Sequence, residues 1–480
     1  MVIKHRPVWR LLLGKGKVQY ALLTAILVVL LFFVELHLKA SSGFTKPLLF
    51  TSTSGTTPER KERQYRPRGS ATIPKHVPPV DNTGFSIFQP RVVTLLEGER
   101  TIGHFTRFNR TLCFSLGTHA VYSGRCDCKP GWYGSACSIP DCVKYSGENF
   151  PPQLLRVRKE ARRIIYSAPF NIEFEMLEII MNELHDIVDV FILVESHFSA
   201  FGTIKPVRLL PRLHRNYLRR FHKKIIYLYM DHFPTGARKN GWIADSYIRS
   251  FTGVKGLPQI RNVKPDDLFL VFDLDEIPSR EALTFLRIHD GYPEPFGFRL
   301  RWSVFGFYWK NSRATQITAG CSVGMLTQVH GNMSNRVRDI ENGVNRNLSP
   351  EFRAYSQQHS VRAWFLGDVD HFAGWHCSSC MDVHGIWVKY TSAQNGDFPR
   401  WGSYHDKMDI KNLRNMVRNG KWFDGNAIGD GAMATRDNDN FFAPKYMLDH
   451  FEKYEYLLSR EHLHAHEQTQ NTIEHYHAQE

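Results

Sequence analysis

No glycine-rich dinucleotide fingerprint and no phosphate-loop sequence occurs in the 480 residues, which argues against a nicotinamide enzyme and a phosphate-loop kinase. An internal repeat is also lacking, so a repeat architecture is unsupported. The net charge of +14 would suit a polyanion. However, residues 1–75 hold 13 Lys and Arg against 3 Glu, and the remaining chain carries only about +4. A nucleic-acid partner is therefore not expected. Cysteine is scarce and clustered: five of the eight fall between Cys113 and Cys142, the others being Cys321, Cys377 and Cys380. That clustering fits an oxidising compartment. With 42% apolar residues, disorder throughout is excluded.

What is present begins with an apolar run from Tyr20 to Val34, extended to Leu38, close in helical length to the ~30 Å of a bilayer core. Lys4, Arg6, Arg10, Lys15 and Lys17 precede it, whereas only Lys39 and Lys46 follow closely. This bias predicts a short cytoplasmic tail over 1–17, a signal anchor in membrane lipid over 18–38 and a lumenal remainder. A cleaved signal peptide ending near Ala40–Gly43 is the rival reading, and it also exports the chain. Sequons at Asn109 and Asn332, and a poorer one at Asn347, agree with export.

Residues 39–100 are rich in Ser, Thr, Pro and basic groups, without a usable apolar period, and predict a flexible stem. A cysteine-bound unit over 101–145 follows. Its Cys126-Asp127-Cys128, Lys129-to-Gly134 turn and Cys137 resemble the C-terminal half of an EGF-like module, in which an aromatic covers crossed disulfides. Cys113 and Cys142 leave the connectivity open.

The main domain is expected over 160–458, with a polar, His-rich tail over 459–480. Buried strands are read at 163–167, 188–194, 225–229 and 268–272, with a helix capped by Asn171 and another starting near Gly241. The spacing favours a mostly parallel α/β sheet, with aromatic strands from Phe298 to Trp309 beside it.

The most informative segment is Leu270-Val271-Phe272-Asp273-Leu274-Asp275-Glu276, where a buried strand runs into alternate aspartates at the carboxyl edge of the sheet, the edge that binds ligands in open α/β folds. Mg²⁺ or Mn²⁺ bound there would bridge a donor diphosphate and take up leaving-group charge. Asp275 is the first expected ligand, with Asp273 beside it or on the donor ribose, and Glu276 orienting the loop. His376 could complete the metal shell, and Trp375 could contact sugar or base. Cys377 and Cys380 could close a loop, or either could pair with Cys321. Ser167, Asn171, Glu195, Arg238 and Asp245 are candidates for the donor pocket, each with a capping or surface role as its plain alternative. Asp397 is the candidate base for direct inverting transfer, and Asp424 its rival.

From that acidic segment outward, the sequence resembles glycosyltransferase family 17. The resemblance runs from the Cys126–Cys137 unit to about Leu458, through Asn171-Ile172-Glu173-Phe174, Asp231-His232-Phe233-Pro234, Gly241-Trp242-Ile243-Ala244-Asp245, Asp273-Leu274-Asp275-Glu276-Ile277-Pro278, Phe372-to-Cys377 and Ser392-to-Gly402. It implies a GT-A-like α/β domain, Mn²⁺ as cofactor and UDP-N-acetylglucosamine as donor. The implied acceptor is the core β-mannose of N-linked glycans on glycoproteins, and the implied location a Golgi type II membrane protein. Met381-Asp382-Val383-His384 and the short basic stem depart from the familiar form, which leaves acceptor preference open. Homodimerisation through stem or catalytic domain also stays open. The alternatives are a transferase with another donor or acceptor, and an inactive, membrane-tethered glycan-binding protein.

Overall fold

A computed structural model describes residues 92–108, 110–147, 154–339, 349–391, 409–422, 424–429 and 433–462. The chain divides into two compact units, 1–75 and 76–480, and all described residues belong to the second. The apolar run at 20–38, the candidate base Asp397 and the His-rich segment from 463 onward lie outside them. Among the described residues no helix is long and apolar enough to cross a membrane.

The core is a nine-stranded sheet. Strand β1 (Ile164–Phe170), helix α1 (Phe174–Leu184), β2 (Val190–Ser196) and β3 (Ile225–Met230) form the first half. Helix α2 (Gly241–Phe251), β4 (Leu268–Val271), β5 (Glu276–Pro278) and α3 (Arg280–Ile288) follow. The second half adds the long hairpin β6 (Glu294–Val304) and β7 (Gly306–Ser322), then β8 (Val361–Leu366) and β9 (Gly374–Ser378). Helices α4 (Val383–Thr391) and α5 (Ile410–Asn419) complete the frame around the site.

The strand order is β3-β2-β1-β4-β7-β6-β9-β5, with β8 on β6. Strands β3, β2, β1 and β4 are parallel, whereas β7 runs antiparallel to both β4 and β6. The sheet is thus a mixed, curled GT-A-like core, with the parallel pairings expected from sequence in the majority and antiparallel ones added by β7 and β5. The period-two aromatic run at 298–309 carries no direction signal, and a hairpin reversal at Phe305, in the left-handed region at φ 64°, turns it antiparallel.

Burial of both faces explains the continuous apolar runs in the parallel half. Tyr166, Ala168, Phe191 and Leu193 enter one core cluster, while Ile165, Val190, Ile192 and Val194 enter the other. Asn171 does not cap α1: Glu173 occupies that position, and its carboxylate accepts from the backbone N–H groups of Asn171 and Ile172 at 3.1 and 2.9 Å. The helix simply begins further along the chain than the cap assignment required.

The cysteine-bound unit has bridges Cys113–Cys126 and Cys128–Cys137. They are sequential and resolve the connectivity that the cysteine order left open. Trp132 packs on Phe114 at 5.2 Å between ring centroids. Cys142 and Cys321 are free and buried, and Cys377 pairs with Cys380. The end of the expected stem is structured: Val93 and Thr94 pair in parallel with Ile260 and Arg261, and Leu95 is buried.

Candidate active site

The chemistry gathers where β4 ends. Phe272 and Leu274 are buried, so the alternating chain turns Asp273 and Asp275 to the other side, each only partly exposed. Glu276 closes the turn by accepting the backbone N–H of Asp273 at 2.8 Å. Its carboxylate is itself held by both guanidinium nitrogens of Arg338, at 2.7 and 2.8 Å. Glu276 therefore orients the loop. On the other side, the Cys377 N–H donates to the Asp275 carbonyl at 2.8 Å, locking the turn to β9.

Cations balance these acids. Arg249 donates to both oxygens of Asp273, at 2.9 and 2.7 Å, and to Asp245 at 2.5 Å. Lys389 on α4 lies 3.3 Å from Asp275, and His376 lies 3.8 Å from it. Burial alone would raise Asp275, but Lys389 and His376 outweigh it and hold the carboxyl well below the usual range. Burial likewise opposes ionisation of Asp273, and Arg249 and Arg338 override it. For Asp245 burial wins, and its pKa is raised. Burial would depress His376, yet Asp275 keeps it above its ordinary value.

Two cavities, of about 140 and 380 Å³, meet at this edge and share Asp245, Arg249, Asp273, Asp275 and Lys389. The smaller lies over the carboxyl ends of β1, β2 and β3, between Phe170, Phe198 and Phe233. The larger is walled by Trp242, Trp302 and Trp422, with His376 and Ser378 on its rim. Trp302 lies nearly parallel to the His376 ring, and its indole N–H donates to Ser378 Oγ at 3.0 Å.

The sequence candidates divide. Asn171, Asp245, Asp273 and Asp275 line a cavity, and so does His376. Ser167 does not: it is fully buried and donates to the Leu270 carbonyl at 2.7 Å. Glu195 is also spent internally, accepting from the backbone N–H groups of Arg208, Leu209 and Leu210 and from the Tyr227 hydroxyl. It caps the short helix Leu209–His214. Arg238 lies over the Phe233 ring at 5.8 Å and itself lines neither cavity. Trp375 is buried in the core, stacked on Phe441 at 4.4 Å with its N–H on the Phe441 carbonyl. Trp302, one strand over, takes the aromatic place expected of it. Asp424 accepts from Asn426 in an exposed turn next to Trp422. Ser334 of the Asn332 sequon is buried, donating to the Arg249 carbonyl at 2.6 Å.

Arg249, Arg338, Lys389 and Trp302 were not singled out from sequence. Arg249 had a signal, since it lies one helical turn after Asp245 on α2. Lys389 and Arg338 had none, being brought in from distant segments.

Among the described residues no group of three His, Cys, Asp or Glu converges on a metal position. Asp275 and His376 bring an oxygen and a nitrogen donor close together, Asp275 beside Lys389 and the His376 ring between the Thr315 and Ser378 hydroxyls, while Asp273 is engaged by Arg249. Such a two-donor set suits Mn²⁺ whose remaining positions are filled by water and substrate phosphate.

A mixed α/β sheet with acids at a strand edge between two cavities is a GT-A-like, ligand-binding architecture. Residues 153–330 match Glycosyltransferase family 17. The chain is 41% identical over 336 residues to human beta-1,4-mannosyl-glycoprotein 4-beta-N-acetylglucosaminyltransferase, covering 69% of this chain and 62% of the relative. The rat and mouse proteins of the same name are each 40% identical over 336 residues, 69% of this chain and 61% of theirs. The chain is homologous to these proteins over the matched span, and residues 153–330 are the part that the family model covers. It matches about three fifths of the length of these curated relatives. No solved structure matches it.

Proposed function

We propose that the chain transfers N-acetylglucosamine from UDP-N-acetylglucosamine, with inversion, to the core β-mannose of N-linked glycans, forming a bisecting β-1,4 linkage. The observation that carries this reading is the 41% identity to a relative named for that transfer, over a span that includes the whole acidic strand edge. The smaller cavity is the donor nucleotide's, and the larger, with its tryptophan walls, takes the acceptor sugar, whose apolar faces suit indole rings.

In this proposal Asp275 and His376 hold Mn²⁺, which when bound supplies positive charge for the departing diphosphate. Asp273, clamped by Arg249, keeps the strand end in place beside the donor ribose. Lys389 lies where both cavities meet and adds a fixed cation near the leaving group. A carboxylate must accept the acceptor hydroxyl proton. Asp397 is proposed for that task, with Asp424, in the turn beside Trp422, as its rival. We further propose a Golgi type II topology with the 18–38 segment as anchor and the enzyme domain lumenal.

The test is mass-resolved transfer by the full chain with UDP-N-acetylglucosamine, Mn²⁺ and a panel of defined N-glycans. Metal-dependent addition of one N-acetylhexosamine, mapped by linkage analysis to the core β-mannose, is the expected result. Addition at another position retains the transferase class and rejects the bisecting role. Binding without transfer by folded protein rejects the enzyme.

A further inference from the structure

Two residues that line the smaller cavity carry a buried polar atom with no partner among the described residues. Asn171 Oδ1 and Lys205 Nζ are both cut off from solvent and make no hydrogen bond among the described residues, and both residues line the cavity. A buried ammonium or amide oxygen left unpaired costs free energy that an exposed, hydrated one does not, so their retention beside the phenylalanines of this pocket points to a ligand that pairs them. Lys205 is not there through an idle, flexible stem. Its backbone N–H donates to the His197 carbonyl at 2.9 Å, and Ser199 N–H donates to the Thr203 carbonyl at 2.8 Å, so the 197–205 loop is folded back on itself. Gly202 makes the turn at φ +82°, and a Cβ there would lie 3.0 Å from the Phe233 ring. The loop is therefore seated against the same aromatic wall that bounds the cavity. Burial lowers the Lys205 ammonium to about 8, with Glu195 pushing it back up and Arg208 down. The nearby carboxylates do not neutralise it directly: Glu195 is occupied by backbone N–H groups and Tyr227, and Glu173 by the N–H groups of Asn171 and Ile172.

We infer that Lys205 and Asn171 read the edge of a uracil ring, making Lys205 a specificity-determining residue of the nucleotide pocket. The inference rests on the donor reading above and adds the groups that select the base. A uracil edge carries one N–H donor between two carbonyl acceptors, which matches an amide oxygen beside an ammonium. Phe170, Phe198 and Phe233 supply apolar faces for the ring. The 4-amino group of cytosine would set a donor against the ammonium.

The experiment measures binding of UDP, CDP, GDP and inorganic pyrophosphate to the full chain at constant Mn²⁺, for wild type, Lys205→Met and Lys205→Gln. The expected result is a preference for UDP in wild type that Lys205→Met reduces about 10- to 100-fold, with Lys205→Gln between them and pyrophosphate affinity unchanged. Without ligand, Lys205→Met should melt no lower than wild type, because it removes a buried charge that has no partner. Equal UDP affinity in wild type and both variants overturns the inference. A parallel loss of pyrophosphate and UDP overturns it too, since Lys205 would then serve the phosphates or the fold. Folded wild type that binds no nucleotide at all instead overturns the donor reading on which it rests.

Discussion

At the scale of single residues, the acidic strand edge was the most legible feature. A run of buried apolar residues ending in alternate aspartates forces those carboxylates to one side of the chain, and the structure places both at the cavity junction. Their partners were not legible, because Arg338 and Lys389 reach the site from segments whose approach depends on the whole tertiary fold. Trp375 shows the opposite failure: an aromatic next to His376 in sequence points to the other face of β9, into the core, because neighbouring strand residues alternate. From this geometry Asp275→Asn should lower transfer by about 10²- to 10³-fold, the scale of losing one preorganised electrostatic group. The loss should appear in kcat measured well below the unfolding temperature, and the melting curve should also shift down, because the buried Lys389 ammonium loses its carboxylate partner. Arg338→Met leaves the buried Glu276 carboxylate without its bidentate partner and should cost about 3 kcal/mol of stability, read as a lower unfolding midpoint.

At the scale of elements, the parallel half of the sheet was readable from continuous apolar runs, but the roles of polar residues at strand ends were not. Glu195 illustrates why. A carboxylate at the end of a parallel strand fits a ribose contact and a helix cap equally well in sequence, and only the position of the helix at Leu209 decides between them. With both oxygens accepting hydrogen bonds in full burial, Glu195→Gln must turn an amide N–H₂ toward existing N–H donors. Facing Tyr227 is the least costly choice, since that hydroxyl can rotate to accept, but Leu210 then loses its acceptor and Leu209 keeps only the other oxygen. The substitution should destabilise the protein by about 2 kcal/mol. UDP affinity, measured well below the melting temperature, should stay within about twofold of wild type. A selective loss of UDP binding with unchanged stability would return Glu195 to the donor pocket.

At the scale of the whole second unit, the cysteine-bound segment is not an appendage. Phe105 and Phe114 share a buried cluster with Ala161 and Ile288 of the main domain. The Trp364 indole N–H donates to Ser146 Oγ at 3.0 Å, and Tyr145 stacks on His371 at 3.7 Å. At this seam His289, the residue following α3, is buried between Ser138 Oγ at 3.1 Å and the Phe285 carbonyl at 3.2 Å. Burial pushes its pKa down to about 4 from an ordinary 6.5. The unfolded chain therefore binds a proton at this histidine before the folded one does. The stabilising effect of keeping His289 neutral is complete above about pH 6.5 and is lost as pH falls toward 4. Its full size is about 3 kcal/mol, from the difference in pKa. His330, buried near Arg336 and also lowered to about 4, acts in the same direction. The melting temperature should thus decline between pH 6.5 and 4 with a slope that His289→Gln makes shallower, because glutamine can meet the same two partners without taking a proton. Unfolding curves at half-unit pH intervals measure that slope. If the variant's decline matches that of wild type, the seam histidine does not link protonation to the joining of the two segments, and His330 with the carboxylates must account for the acid sensitivity.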